Sequence, residues 1–127
     1  MSIRHAIATL LAGALLALLA TSAAAAPPPQ AQREIEQLID ALGRSGCDFQ
    51  RNGSWYPATE AQAHLRRKYD YLRKRDLVAT AEQFIERAGT QSSMSGKAYA
   101  VRCPGQGTVP SAKWLGAKLS QFRHATP

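Results

Sequence analysis

Between Gln32 and Arg44 the apolar residues Ile35, Leu38, Ile39 and Leu42 stand at i, i+3, i+4 and i+7, the spacing of one helical stripe. Gly43 and Gly46 follow and read as a left-handed stop. The pattern then changes period. In Cys47-Asp-Phe-Gln-Arg-Asn-Gly-Ser-Trp-Tyr56 two short strand-like runs flank Asn52-Gly53, both of which tolerate positive φ. A hairpin with a two-residue turn is predicted. That turn pairs Arg51 with Ser54, Gln50 with Trp55 and Phe49 with Tyr56. Cys47, Phe49 and Tyr56 then share one face, and Gln50 and Trp55 the other.

Pro57 ends the hairpin. Thr59-Glu-Ala-Gln62 has the form of a capping box and predicts a second helix from there to about Arg75, with Ala61, Leu65, Tyr69 (or Lys68) and Leu72 inward. Thr80-Ala-Glu-Gln83 is another box, opening a helix through Phe84, Ile85 and Ala88 that Gly89 closes. After a polar loop from Thr90 to Gly96, Tyr99, Val101 and Cys103 alternate with Ala98, Ala100 and Arg102, which predicts a third strand. The stretch from Pro104 to Pro110 reads as a loop. Ser111 is placed as the cap of a last helix with Trp114, Leu115, Leu119 and Phe122 inward. The order α-β-β-α-α-β-α predicts a small single α+β domain over residues 32–123, with a three-stranded antiparallel sheet, packed helices and a tail at 124–127.

The N-terminus has a different character. A basic tip with Arg4, an uncharged Leu/Ala run over Ile7 to Ala20 and a small-residue exit are expected of a signal peptide, residues 1–25, cleaved after Ala25. The apolar run is short for a membrane span, and no stable membrane insertion is expected. Residues 26–31, with Pro27-Pro28-Pro29, are expected to form an extended tether. Cleavage changes the composition that matters. The chain has 127 residues and a net charge of +7; residues 1–25 carry Arg4 and no acid, so the remainder carries +6. About a hundred residues exclude a multi-domain enzyme and leave a thin core. In an exported chain the two cysteines, Cys47 and Cys103, read as one disulfide. They share strand faces with Phe49 and with Val101, which supports bonding on the buried side of the sheet.

Tests for chemistry are mostly negative. Only His64 and His124 are available beyond the signal peptide, so a zinc site lacks ligands, and no metal or cofactor is expected. Ser95-Gly96-Lys97 lacks the spacing of a phosphate loop, and Ala98 stands where a magnesium-binding hydroxyl would. Glu82 and Glu86, one turn apart, fit a solvated helix face. No catalytic residue is assigned. The positive signal is Arg66-Arg-Lys-Tyr-Asp-Tyr-Leu-Arg-Lys-Arg75, six cations and one acid. On a helix His64, Lys68, Tyr71 and Arg75 line up, and Arg67 and Lys74 overlap them. Such a face suits phosphate, carboxylate or sugar-acid groups; the plainer reading is a solvated outer face. Trp55 is expected beneath a helix, or else exposed as a contact.

The runs Phe49-Gln-Arg-Asn-Gly-Ser-Trp-Tyr, Ala61-Gln-Ala-His-Leu-Arg-Arg-Lys, Thr80-Ala-Glu-Gln-Phe-Ile-Glu and Ser92-Ser-Met-Ser-Gly-Lys-Ala-Tyr-Ala-Val-Arg102 resemble one family, and Trp114-Leu115 sits where that family has a Trp-Leu helix. It is the YfeK-like bacterial periplasmic proteins, a domain family of unknown function. The resemblance runs from about Glu34 to Phe122. Arg51, Asn52, Gly53, Ser92, Ser93, Ser95, Gly96, Lys97 and Arg102 match its pattern. It implies a small exported domain and no assigned activity, and it makes the cysteine pair an optional local reinforcement. The expectation is therefore a periplasmic, non-catalytic module for an anionic envelope component or acidic protein. Arg67, Lys68, Tyr71, Lys74 and Arg75 are its expected surface, with Trp55, Lys97 and Arg102 beside them. The rival is a cell-wall-directed enzyme or enzyme inhibitor using His64, Glu60 or the Ser92–Lys97 loop. Nucleic acid is the weaker partner class, since export removes the usual target.

Overall fold

The computed structural model describes residues 26–125, and the expected signal peptide lies outside them. Within that range the chain is an α+β domain of four helices and a four-stranded antiparallel sheet. In chain order the elements are α1 (Pro29–Arg44), β1 (Asp48–Arg51), β2 (Ser54–Pro57), α2 (Ala58–Lys74), α3 (Ala81–Ala88), β3 (Ala100–Arg102), β4 (Val109–Pro110) and α4 (Ser111–Ala125).

The hairpin forms in the expected register. Phe49 pairs with Tyr56, Gln50 with Trp55 and Arg51 with Ser54, while Asn52 and Gly53 take φ of 51° and 83°. β3 pairs with the other edge of β1, setting Phe49 against Val101. The sheet has one strand more than expected: β4 pairs Val109 with Val101 and gives the order β2-β1-β3-β4. Two residues, one of them a proline, carry no readable alternation, so this strand exists only because β3 offers it a free edge.

The helices cover one face of the sheet. α2 packs against β1 and β2, α4 against β3 and β4, and α1 lies on α2, α3 and α4. Ile35, Leu38, Ile39 and Leu42 are all at most 1% exposed, so the α1 stripe is the centre of the core. Leu65, Tyr69, Leu72, Phe84, Ile85, Leu115 and Leu119 surround it, with Phe49 and Val101 from the sheet. Trp114 and Phe122 are partly buried at its edge, Trp114 meeting the Phe49 ring edge-on at 5.7 Å.

Several end signals work differently from the sequence reading. α1 begins at Pro29, inside the expected tether, because proline at the first helical position has no amide bond to lose. α2 begins at Ala58 after Pro57, with no side-chain cap, so Thr59 falls inside the first turn. Gln62 instead reaches across to donate to the Ile39 carbonyl at 3.2 Å. Gly43 makes room for it: a Cβ there would lie 2.3 Å from the Gln62 Cδ. Gly43 is thus a close-approach glycine within α1, and the left-handed conformation falls on Gly46, φ 67°. The Thr80 box does form, Thr80 Oγ1 accepting from the Gln83 amide at 3.0 Å. α4 runs through His124 to Ala125, beyond the expected tail boundary.

Cys47 and Cys103 form a disulfide, extending the β1–β3 pairing one step past Asp48 and Arg102. Tighter electrostatic ties join the helices. Arg66 holds Glu36 with both nitrogens, at 2.6 and 2.7 Å, and Arg123 bridges Glu34 and Glu82.

Candidate functional site

Strand alternation places Arg51 on the face that carries Phe49, the helix-covered side, at the very end of β1. On α2 the i, i+4 pair His64 and Lys68 faces the same region. Tyr99 enters from the segment before β3, held by its amide on the Thr90 carbonyl and its carbonyl on the Ser111 amide, both 2.9 Å. These four side chains meet. Arg51 Nη1 lies 3.1 Å from His64 Nδ1, and His64 Nε2 lies 3.1 Å from the Tyr99 hydroxyl oxygen. Lys68 Nζ lies 3.2 Å from that oxygen and 3.1 Å from the Gln91 carbonyl.

Donor inventory fixes the protons. Arginine and lysine only donate. His64 Nδ1 therefore accepts from Arg51, so the ring is the neutral Nε2–H tautomer and donates to Tyr99. Lys68 donates to the same oxygen. The Tyr99 oxygen thus accepts two hydrogen bonds and keeps its own O–H proton for a third partner. The energetics agree. Burial first, and then the charges of Arg51, Lys68 and Arg67, lower the His64 pKa from 6.5 to about 4. Burial, with Arg51, lowers that of Lys68. Burial raises that of Tyr99 against the pull of Arg51, so it remains a phenol.

Arg51, His64 and Tyr99 border a cavity of about 190 Å³ between the hairpin and α2. Leu42, Phe49, Leu65, Tyr99 and Ser111 form its buried floor, and Arg51, Tyr56, Glu60, His64 and Arg67 its rim. Among the described residues Arg51, Arg67 and Lys68 have no carboxylate partner. Arg44, Arg66, Arg73 and Arg102 each have one, and Arg123 has two. Arg51 and Arg67 give the cavity two cations at its rim. Among the described residues no group of three His, Cys, Asp or Glu side chains could hold a metal ion.

The structure divides the expected surface. Arg67 lines the cavity, and Lys68 lies beside it on the Tyr99 hydroxyl and the Gln91 carbonyl. Tyr71, 54% exposed, is stacked by the Arg75 guanidinium at 3.7 Å farther along α2, and Arg75 also donates to the Tyr71 carbonyl. Lys74 borders a shallow hollow with Pro27, Gln32 and Tyr69. Trp55 is partly buried on the opposite face of the sheet, where its cover is the Arg102 guanidinium at 4.0 Å and not a helix; Arg102 also pairs with Asp48. α2 and α4 are the helices that pack closely on the sheet, on the face that carries the buried Phe49 and Val101. Lys97 is exposed in the loop beside the hairpin turn, which is tied down by a Ser95–Asn52 hydrogen bond. In that loop Ser92 is 4% exposed, and its oxygen accepts the Met94 and Ser95 amides at 3.3 Å each. Its hydroxyl thus shapes its own turn.

Arg51, Tyr56 and Tyr99 were missing from the expected surface. A signal for them existed: Arg51 is a cation two residues from Phe49, on the face the hairpin register buries.

Comparison with known proteins adds a family and no chemistry. Residues 29–123 match the model of a family of unknown function, DUF5329. Over 69 residues the chain is 38% identical to the uncharacterized protein YfeK of Salmonella typhimurium, a match spanning 54% of this chain and 56% of that protein. No solved structure matches. With the family model covering residues 29–123, the whole of the described domain but its ends, the chain belongs to DUF5329, a family whose function is unknown.

Proposed function

We propose that this protein is an exported, non-catalytic binding module for an anionic component of the cell envelope, and that the cavity under Arg51 and Arg67 is where that component is held. The carrying observation is that Arg51 and Arg67 line one cavity with no carboxylate partner among the described residues, while Lys68 adds a third such cation on the Tyr99 hydroxyl beside it. Cations kept close without counter-ions repel one another, and an anion relieves that repulsion. Export is supported by the basic, apolar and small-residue succession of residues 1–25 and by the disulfide, which persists in oxidising compartments.

The enzymatic rival draws less support. His64 has its basic nitrogen occupied by Arg51 and is neutral with its proton directed at Tyr99. Ser92 is engaged by its own loop. A general base needs a free lone pair within reach of a proton.

The test is equilibrium binding of an acidic envelope polymer at low and raised salt. Arg51→Gln and Arg67→Gln should each weaken binding, and salt should weaken it throughout, since exposed charges are screened beyond about 8 Å at physiological ionic strength. Tyr71→Ala and Arg75→Gln, at the outer stack, should change it little. Loss confined to the outer variants would move the site off the cavity and overturn this reading.

A further inference from the structure

The cavity's size and the direction of its protons narrow the anion. Leu42, Phe49 and Leu65 line its floor and Tyr56 its side, so most of the enclosed surface is apolar. A cavity of about 150 Å³ takes up a benzene ring. The 190 Å³ here therefore has room for a ring-sized body and one small charged group.

Of the polar side chains that line it, Arg51 and Arg67 only donate, Glu60 only accepts, and Gln50, Tyr56, Tyr99 and Ser111 can do both. Arg51 and Arg67 supply guanidinium N–H groups from the rim. Tyr99 supplies the O–H proton left over after its oxygen has accepted from His64 and Lys68. Arg51 and Tyr99 both line the cavity, on the two nitrogens of His64, and a guanidinium and a hydroxyl suit the two oxygens of a carboxylate. The carboxylate on the rim, Glu60, is exposed, and its charge disfavours a doubly charged ligand over a singly charged one.

Building on the binding reading above, we propose that the cavity takes a carboxylate borne on an apolar, ring-sized body, the acid group bridging Arg51 and the Tyr99 hydroxyl while the body lies on Leu42, Phe49 and Leu65. The carboxylate could belong to a free small acid or to the end of an envelope polymer. Both present the same group to the cavity.

The experiment uses benzoate as the probe, titrated against the intact, disulfide-bonded protein at low salt, with NMR shifts of Tyr99, His64 and Leu42 as the readout. Phenyl phosphate and benzylamine are run in parallel. Benzoate should shift those residues together, phenyl phosphate should bind less tightly, and benzylamine should leave them unmoved. Tyr99→Phe, which keeps the buried ring, should weaken benzoate about tenfold, the usual loss for one hydrogen bond to a charged group. Arg51→Gln should abolish the response. No benzoate shift, tighter phenyl phosphate, or a Tyr99→Phe variant that binds like the parent would each overturn the carboxylate assignment. Those results leave the polymer experiment free to succeed, so the two failures are distinguishable. A polymer fragment with a free carboxylate end that displaces benzoate would identify the source as a terminus; displacement by small acids alone would identify it as a free acid.

Discussion

Arg51, at the last position of β1, donates through Nη1 to His64 Nδ1 of α2 at 3.1 Å, so a cation with no ion-pair partner among the described residues is held against a histidine that must stay neutral to receive it. The contact spans a hairpin and a helix and organises the rest of the site. It fixes the His64 tautomer, and through it the proton of Tyr99.

The pH dependence follows from this contact. His64 has an ordinary pKa of 6.5 unfolded and about 4 folded, so between those values the unfolded chain binds more protons than the folded one. Stability from this group is complete above pH 6.5 and is lost as pH falls towards 4. With the ring partly exposed, solvent screening reduces the loss to about 1 kcal/mol. NMR titration of the His64 ring and urea unfolding from pH 7 to 4 check both parts. A ring titrating near 6.5 would contradict the geometry.

Reduction of Cys47–Cys103, or Ser at both positions, should lower stability by about 2–4 kcal/mol, as expected for a crosslink closing a loop of this order. The β1–β3 ladder continues inward from it through Phe49 and Val101, so the reduced protein should still fold. Thermal unfolding with and without reductant measures the difference.

Gly89→Ala should cost about 2 kcal/mol, within the range for overpacking a core. A Cβ there would sit 2.5 Å from the Leu115 Cδ1, and Leu115 is fully buried. Gly43→Ala should cost less, because the atoms it meets are the end of the flexible Gln62 side chain, which can swing away at the loss of its hydrogen bond to Ile39. Chemical denaturation of the two variants gives the contrast.

Trp55 should respond to Arg102. With the guanidinium stacked at 4.0 Å its indole is shielded, and Arg102→Ala should raise its quenching by acrylamide without changing the fold. Unchanged quenching would place its cover elsewhere.

Much of this architecture was legible in the sequence because it rests on local rules. Asn52-Gly53 dictated the hairpin register, the i, i+3, i+4, i+7 spacing from Ile35 to Leu42 dictated the core stripe, and alternation put Cys47 and Cys103 on facing strands. Where reading failed, the deciding contact came from elsewhere in the chain. Thr59 lost its cap role because Pro57 had already turned the backbone into the helix. Gly43 looked like a stop because its reason for lacking a side chain, Gln62, lies on another helix. The site fared similarly. The basic face of α2 was visible with His64 and Lys68 upon it, but a helical projection could not divide it between the cavity and the outer Tyr71–Arg75 stack. Packing of α2 on the hairpin makes that division and brings Arg51 and Tyr99 to the same place.

The most direct test of the central claim is the binding of an acidic envelope polymer by the parent protein and by Arg51→Gln, with circular dichroism confirming that both are folded. Salt-sensitive binding by the parent that falls by tenfold or more in the variant, about 1.4 kcal/mol, is the predicted result. Equal binding by the two folded proteins, or none by either, would contradict the account.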